Sequence, residues 1–155
     1  MPGRRSSRLI GALATLLVMI LSSAVLAGAP FDADGYYIPI EGDLTAGFRI
    51  EYLAIHVSRS VPPRVYLAVR DPDGQVERQV CRDHTVSSDG VRVRCTNLRV
   101  GKVELTGTFR DKTGQYWNRL DEIRGTAVLT ATVSVQPPQG QVQQRKVQFT
   151  YTGGD

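Results

Sequence analysis

The sequence predicts an all-β fold, an antiparallel two-sheet sandwich of seven to nine strands. Three observations carry that expectation. Apolar and polar residues alternate with period two along most of the chain. Turn-forming Gly, Pro, Asp and Ser clusters separate the alternating runs at short intervals. Helical spacing is confined to one short stretch, where Leu120 and Ile123 stand three apart.

The N-terminus reads as an export signal. Arg4, Arg5 and Arg8 precede an apolar and small-residue stretch over 9–27, and Ala27-Gly28-Ala29 offers a small-residue cleavage site. The expected division is a signal peptide over 1–29 and a single domain over 30–155. The alternative is a retained membrane anchor, since the stretch is just long enough to span a bilayer. Cleavage would remove three of the nineteen basic residues and none of the fifteen acidic ones, leaving a charge near +1. The basic balance therefore belongs to the targeting segment, and a nucleic-acid partner is not expected. Arginine far outnumbers lysine, in keeping with a GC-rich bacterial genome and a periplasmic or secreted location.

Along the mature part, Phe48, Ile50 and Tyr52 share one parity, and Leu53, Ile55 and Val57 share the other. A parity switch inside an apolar run predicts a bulge or a strand that changes sheets. Pro62-Pro63 ends that run. Val65, Leu67 and Val69 alternate up to Asp71-Pro72-Asp73-Gly74, where Pro presets φ, Asp caps the turn and Gly takes the positive φ. Strands are expected over 76–81 and 91–98, separated by Ser87-Ser88-Asp89-Gly90. Val103, Leu105, Gly107 and Phe109 then face one way and Lys102, Glu104, Thr106, Thr108 and Arg110 the other. Asp111-Lys112-Thr113-Gly114 turns the chain into 115–117, and a helical turn over 119–124 follows. Ala127, Leu129, Ala131, Val133 and Val135 form the next strand. Pro137-Pro138-Gln139-Gly140 turns it back, and Val147, Phe149 and Tyr151 form the last. The core is expected to contain Leu67, Val69, Val93, Leu105, Phe109, Leu129, Val133, Val147 and Phe149. The ends, over 30–35 and 153–155, offer little to bury and are expected to be loose.

Cys81 and Cys95 are the two cysteines. In an exported chain they are expected to form one disulfide. A hairpin centred on Ser88 would set them opposite each other. A redox pair or a two-ligand metal site is the competing assignment, but CxxC spacing is absent and His84 is the only nearby imidazole.

The run Val103-Glu104-Leu105-Thr106-Gly107-Thr108-Phe109-Arg110-Asp111-Lys112-Thr113-Gly114-Gln115 resembles the late hairpin of bacterial immunoglobulin-like domains, in which an alternating strand enters a D-x-x-G turn. Residues 65–75 resemble an earlier hairpin of the same domains. The resemblance covers about 24 residues and implies an immunoglobulin-like sandwich, without implying a function. The cysteines are too close in sequence for the inter-sheet bridge of antibody domains, and Trp117 follows both instead of lying between them.

No catalytic, nucleotide-binding or metal signature stands out, so no cofactor is expected. Asp32-Ala33-Asp34-Gly35 and Asp71-Pro72-Asp73-Gly74 share the D-x-D-G pattern of calcium loops, but neither has Asp or Asn at the fifth position, so turn chemistry is expected. His56 and His84 lack a partner nucleophile and are expected to be ordinary strand or loop residues, and Asp121-Glu122 a solvated pair. The better candidates are aromatic. In a strand, Tyr36-Tyr37 and Tyr116-Trp117 would each place one ring inward and one outward. An outward ring can anchor a protein or stack on a sugar. The expected contact site is Tyr116, Trp117 and Asn118. The expected function is a non-catalytic module for protein interaction or assembly in the cell envelope or outside the cell, its partner another envelope or extracellular protein. Membrane contact is expected only if the N-terminal segment is retained. The alternatives are a carbohydrate or small-ligand binding domain, and a small hydrolase or hydrolase inhibitor.

Overall fold

The computed structural model describes residues 31–44, 47–56, 64–97 and 99–153. The expected signal peptide, Val57, Pro62-Pro63, Leu98 and the last two residues lie outside the described residues.

Nine strands form one antiparallel sheet. They are β1 (Gly35–Pro39), β2 (Arg49–His56), β3 (Arg64–Arg70), β4 (Val76–Cys81), β5 (Asp83–Ser87), β6 (Gly90–Asn97), β7 (Gly101–Phe109), β8 (Leu129–Gln136) and β9 (Gln143–Thr152). Their order is β4-β3-β2-β1-β9-β8-β7-β6-β5. Strands consecutive in sequence are neighbours throughout, except at the two ends of the order, and β1 pairs with β9 to join the two halves. The end strands β4 and β5 are separated in the chain by Arg82 alone. The stretch 76–87 therefore kinks at Arg82, leaving β3 and joining β6. The sheet curls until its ends meet, giving a nearly closed barrel. Hydrogen bonding runs unbroken across all nine strands, so the expected division into two sheets is not present in the ladder.

The disulfide between Cys81 and Cys95 ties β4 to β6 at this seam, with 4.7 Å between the Cα atoms. The expected hairpin register is off by one. Ser87 pairs with Gly90 and Asp83 with Arg94, an alignment that would set Cys95 opposite Arg82. The kink at Arg82 absorbs the extra residue and brings Cys81 to Cys95. The parity switch in β2 is a bulge, with the register to β3 shifting between Ile50 and Tyr52.

The nine expected core residues are all buried. Each supplies roughly 1.5–3 kcal/mol through the apolar area it removes from water. Gly107 sits opposite Ala131, where a Cβ would stand 2.7 Å from the alanine methyl, so glycine lets β7 and β8 approach at the curl. The segment expected to be a loose N-terminal end is instead fastened. Asp32 N–H donates to the Thr113 carbonyl, and the Phe31 ring packs on Phe109. The hydroxyls of Tyr37 and Tyr151 donate to the carbonyls of Ala33 and Asp34. After β7, residues 115–117 do not extend as a strand. A 3-10 turn (Tyr116–Arg119) leads into a single helical turn, α1 (Leu120–Ile123).

Candidate functional site

The expected contact residues lie on that helical segment, and they separate. Tyr116 is buried at 1% exposure, its hydroxyl accepting from Asp111 N–H and donating to the Val128 carbonyl. Burial raises its pKa. Trp117 is 51% exposed, and Asn118 also faces solvent. Leu120, 39% exposed, extends the apolar spot. The preceding turn is held by Asp111, which accepts from Thr113 N–H and its hydroxyl and pairs with Arg119. These contacts, the Thr113 N–H foremost, keep the Asp111 carboxyl below its ordinary range. Tyr116 is thus a packing residue, and Trp117 and Asn118 stand on the surface above it.

A second group of aromatics covers the outer face of β1–β3. The inward parity of Leu53 and Ile55 turns Tyr52, Ala54 and His56 outward, and the inward parity of Val65 and Leu67 turns Tyr66 and Ala68 outward. Strand register assembles a grid. One row reads Tyr36, Ala54, Tyr66, Val80, and the next reads Tyr52, Ala68, Arg78. Large side chains thus flank small ones, and Ala54 and Ala68 are covered although they face outward.

The rings touch in sequence. Tyr52 and Tyr36 lie 5.5 Å apart between centroids, Tyr36 and His56 5.6 Å, and His56 and Tyr66 5.7 Å, each pair edge to face. The Arg78 guanidinium lies over the Tyr66 ring, 5.1 Å from its centroid. A cation–π contact at such an exposed site contributes about 0.5–1 kcal/mol. All three tyrosines are partly exposed.

The acidic groups bordering this face are engaged. Asp34 Oδ1 lies 3.3 Å from His56 Nδ1. Glu51 binds Arg70 through both oxygens, at 2.6 and 3.2 Å, and Arg49 approaches it at 3.6 Å. The Arg70 hydrogen bond holds the Glu51 carboxyl below its ordinary range. Among the described residues no ion pair engages Arg64 or Arg78, both exposed beside the aromatics.

The outer face of β5–β8 has another character. Glu104 pairs with Arg92 at 2.8 Å and with Arg94 at 3.3 Å, and Arg94 reaches Asp83 at 3.3 Å. An open groove of about 720 Å³ runs there, with Val80 and Val142 on its walls and Arg82 and Lys102 among its charges. Arg92, Arg94, Asp83 and Glu104 satisfy one another, and among the described residues no ion pair engages Arg82 or Lys102.

The two D-x-D-G stretches serve the backbone. Asp71 accepts from Gln75 N–H and pairs with Arg99, and Gly74 takes φ 84°. Asp32 accepts from Asp34 N–H. Among the described residues no three of His, Cys, Asp and Glu are grouped to hold a metal ion. His84 Nδ1 bonds the Cys81 carbonyl beside the disulfide.

The outer aromatic face is what sequence reasoning missed. Placing Tyr52 with Phe48 and Ile50 hid it, because the bulge reverses its side relative to Ile50. The usable signal was Tyr52-x-Ala54-x-His56 and Tyr66-x-Ala68, out of phase with two unambiguous core runs. Comparison with known proteins finds no matching family, no matching curated protein and no matching solved structure.

Proposed function

We propose that the chain is an exported, non-catalytic binding module whose contact surface is the outer aromatic face of β1–β3. The observation that carries this is the connected row Tyr52, Tyr36, His56 and Tyr66 held at the surface over small residues. Aromatic side chains present large contact area at low conformational cost, which suits a binding surface better than a merely solvated one. Export is supported by the tripartite N-terminus, and the disulfide is compatible with an oxidising compartment. The immunoglobulin-like kinship belongs to the same proposal: its two D-x-x-G turns support it, and the unbroken ladder is what it has to accommodate.

A second reading places a protein partner on Trp117 and Asn118. It is favoured by the exposure of Trp117 beside Leu120. Photo-cross-linking in intact cells separates the two. Benzoylphenylalanine at position 66 should yield adducts, and the same group at position 132, on the outer face of β8, should yield none. Adducts from position 117 alone would transfer the site to the helical segment.

A further inference from the structure

We infer that the aromatic face takes an acidic polysaccharide, a glycan whose sugar rings carry carboxylates; this rests on the binding role proposed for that face. The argument starts from the row Tyr52, Ala68, Arg78, which runs straight across β2, β3 and β4. Two strand spacings, about 10 Å, separate the backbone positions of the tyrosine and the arginine, and between them stands only an alanine. A ring-binding group and a cation therefore flank one strip of the face, whose alanine is fully covered by its neighbours. Tyr36 and His56 extend the aromatic side of it, and Arg64, opposite His56, adds a second cation.

The chemistry that matches this strip is a flat, hydroxyl-rich ring bearing a negative charge at its edge. The C–H bonds of a sugar face are weakly positive and are attracted to the negative face of a tyrosine ring. A carboxylate at the ring edge matches the planar fork of a guanidinium, which binds it through two parallel hydrogen bonds. The Arg78 guanidinium already lies over the Tyr66 ring, at the edge of the aromatic row. Glu51, bordering the face, is occupied by Arg49 and Arg70, and among the described residues no ion pair engages Arg64 or Arg78, so the face keeps two cations beside its rings. A polymer suits the site better than a single sugar, because its aromatic and cationic residues are spread over three strands of one sheet face. Single-stranded nucleic acid also combines stacking with cationic contacts. The disulfide-bearing chain with its export signal favours a glycan over it.

The test uses the full-length chain in native form with three probes: polygalacturonate, the same polymer fully methyl-esterified, and oligodeoxythymidine. Affinity electrophoresis and calorimetric titration should show binding to polygalacturonate, weakened about tenfold or more when esterification removes the charges. Arg78→Gln should weaken polygalacturonate binding by about tenfold and erase the preference over the ester. Tyr52→Ala should weaken binding to both polymers, Tyr52→Phe should restore it, and Trp117→Ala should change neither. Thermal melts of each variant confirm that the fold persists.

Equal affinity for the two polymers, an Arg78→Gln variant that binds as the parent does, or tighter binding of oligodeoxythymidine would each overturn the glycan assignment. Failure to bind polygalacturonate while position 66 still cross-links in cells would reject the glycan and keep the binding face. Failure of both would reject both.

Discussion

The six tyrosines of the chain divide three and three, and the division passes through the peptide bond between Tyr36 and Tyr37. Tyr37, Tyr116 and Tyr151 point inward. Their rings pack with 5.4 Å between Tyr37 and Tyr151 and 5.6 Å between Tyr116 and Tyr151, and their hydroxyls donate to the carbonyls of Ala33, Val128 and Asp34. Tyr36, Tyr52 and Tyr66 point outward, in contact with His56 and Arg78. One side-chain type thus does two jobs. Inside, it fastens the segment before β1 to β9 through the Asp34 carbonyl and packs Tyr116 of the helical segment against Tyr37 and Tyr151. Outside, it builds a surface. Strand parity, and not residue type, decides which for the five tyrosines on strands, and the 3-10 turn sends Tyr116 inward.

The comparison is broken most forcefully by removing rings. Phe109 touches Phe31, Tyr37 and Tyr116, and Phe109→Ala is expected to cost about 3–5 kcal/mol in a denaturant melt. Tyr52→Ala, on the outer face, should cost about 1 kcal/mol or less. Equal losses would mean that the outer face is a second core.

Opening the seam should act on one side of the comparison. Replacing Cys81 and Cys95 by serine is expected to cost about 3 kcal/mol in the chain-entropy account. Hydrogen exchange should then quicken first in β4 and β5, which meet at the seam, and last in β1 and β9 at the centre of the sheet. Arg78 lies on β4, so the outer row should loosen while the inner cluster holds.

Alkali should act on the other side. Burial, followed by the nearby Tyr116, raises Tyr37 well above its ordinary pKa, and burial, followed by Asp34, pushes Tyr151 up to about 12. A phenol whose pKa is raised by folding contributes stability that is whole below the unfolded value of about 10 and is lost as pH climbs through the folded value. Stability should therefore fall between about pH 10 and pH 12, with Tyr151 accounting for on the order of 1–2 kcal/mol. Denaturant melts across that interval, paired with phenolate absorbance, check the linkage. The smallest contrast is a single hydroxyl: Tyr151→Phe should cost about 1 kcal/mol by removing the donor to the Asp34 carbonyl, and Tyr66→Phe should cost nothing measurable.

The strands β3, β7, β8 and β9 could be read from the sequence because each buries one face, so period two survives in Val65-x-Leu67-x-Val69 and Leu129-x-Ala131-x-Val133. Barrel closure could not. It depends on a kink at Arg82 between two strands that bury little, and periodicity carries no mark of it. The disulfide partners were identified through a register one residue in error, because the same kink restores the pairing. The fastening of 31–34 leaves no local mark in the sequence because its partners are remote: Tyr151 reaches Asp34 from the far end of the described chain. At the expected site, strand logic gave the right split of Tyr116 and Trp117 from a wrong premise, since a 3-10 turn and not a strand separates them. Among the outer tyrosines, Tyr36 follows the expected inward-outward split of Tyr36-Tyr37, whereas Tyr52 is hidden by one bulged residue, Glu51, which reverses its side relative to Ile50.

The most direct test of the outer face is tyrosine nitration mapped by mass spectrometry, on the purified protein and on the same protein in intact cells. In the purified protein Tyr36, Tyr52 and Tyr66 should be modified and Tyr37, Tyr116 and Tyr151 spared. In cells the outer three should be protected by whatever occupies the face, and denaturation should expose all six. Outer tyrosines that react as fast in cells as in the purified protein would contradict the account, because the face would then be bare where it is meant to bind.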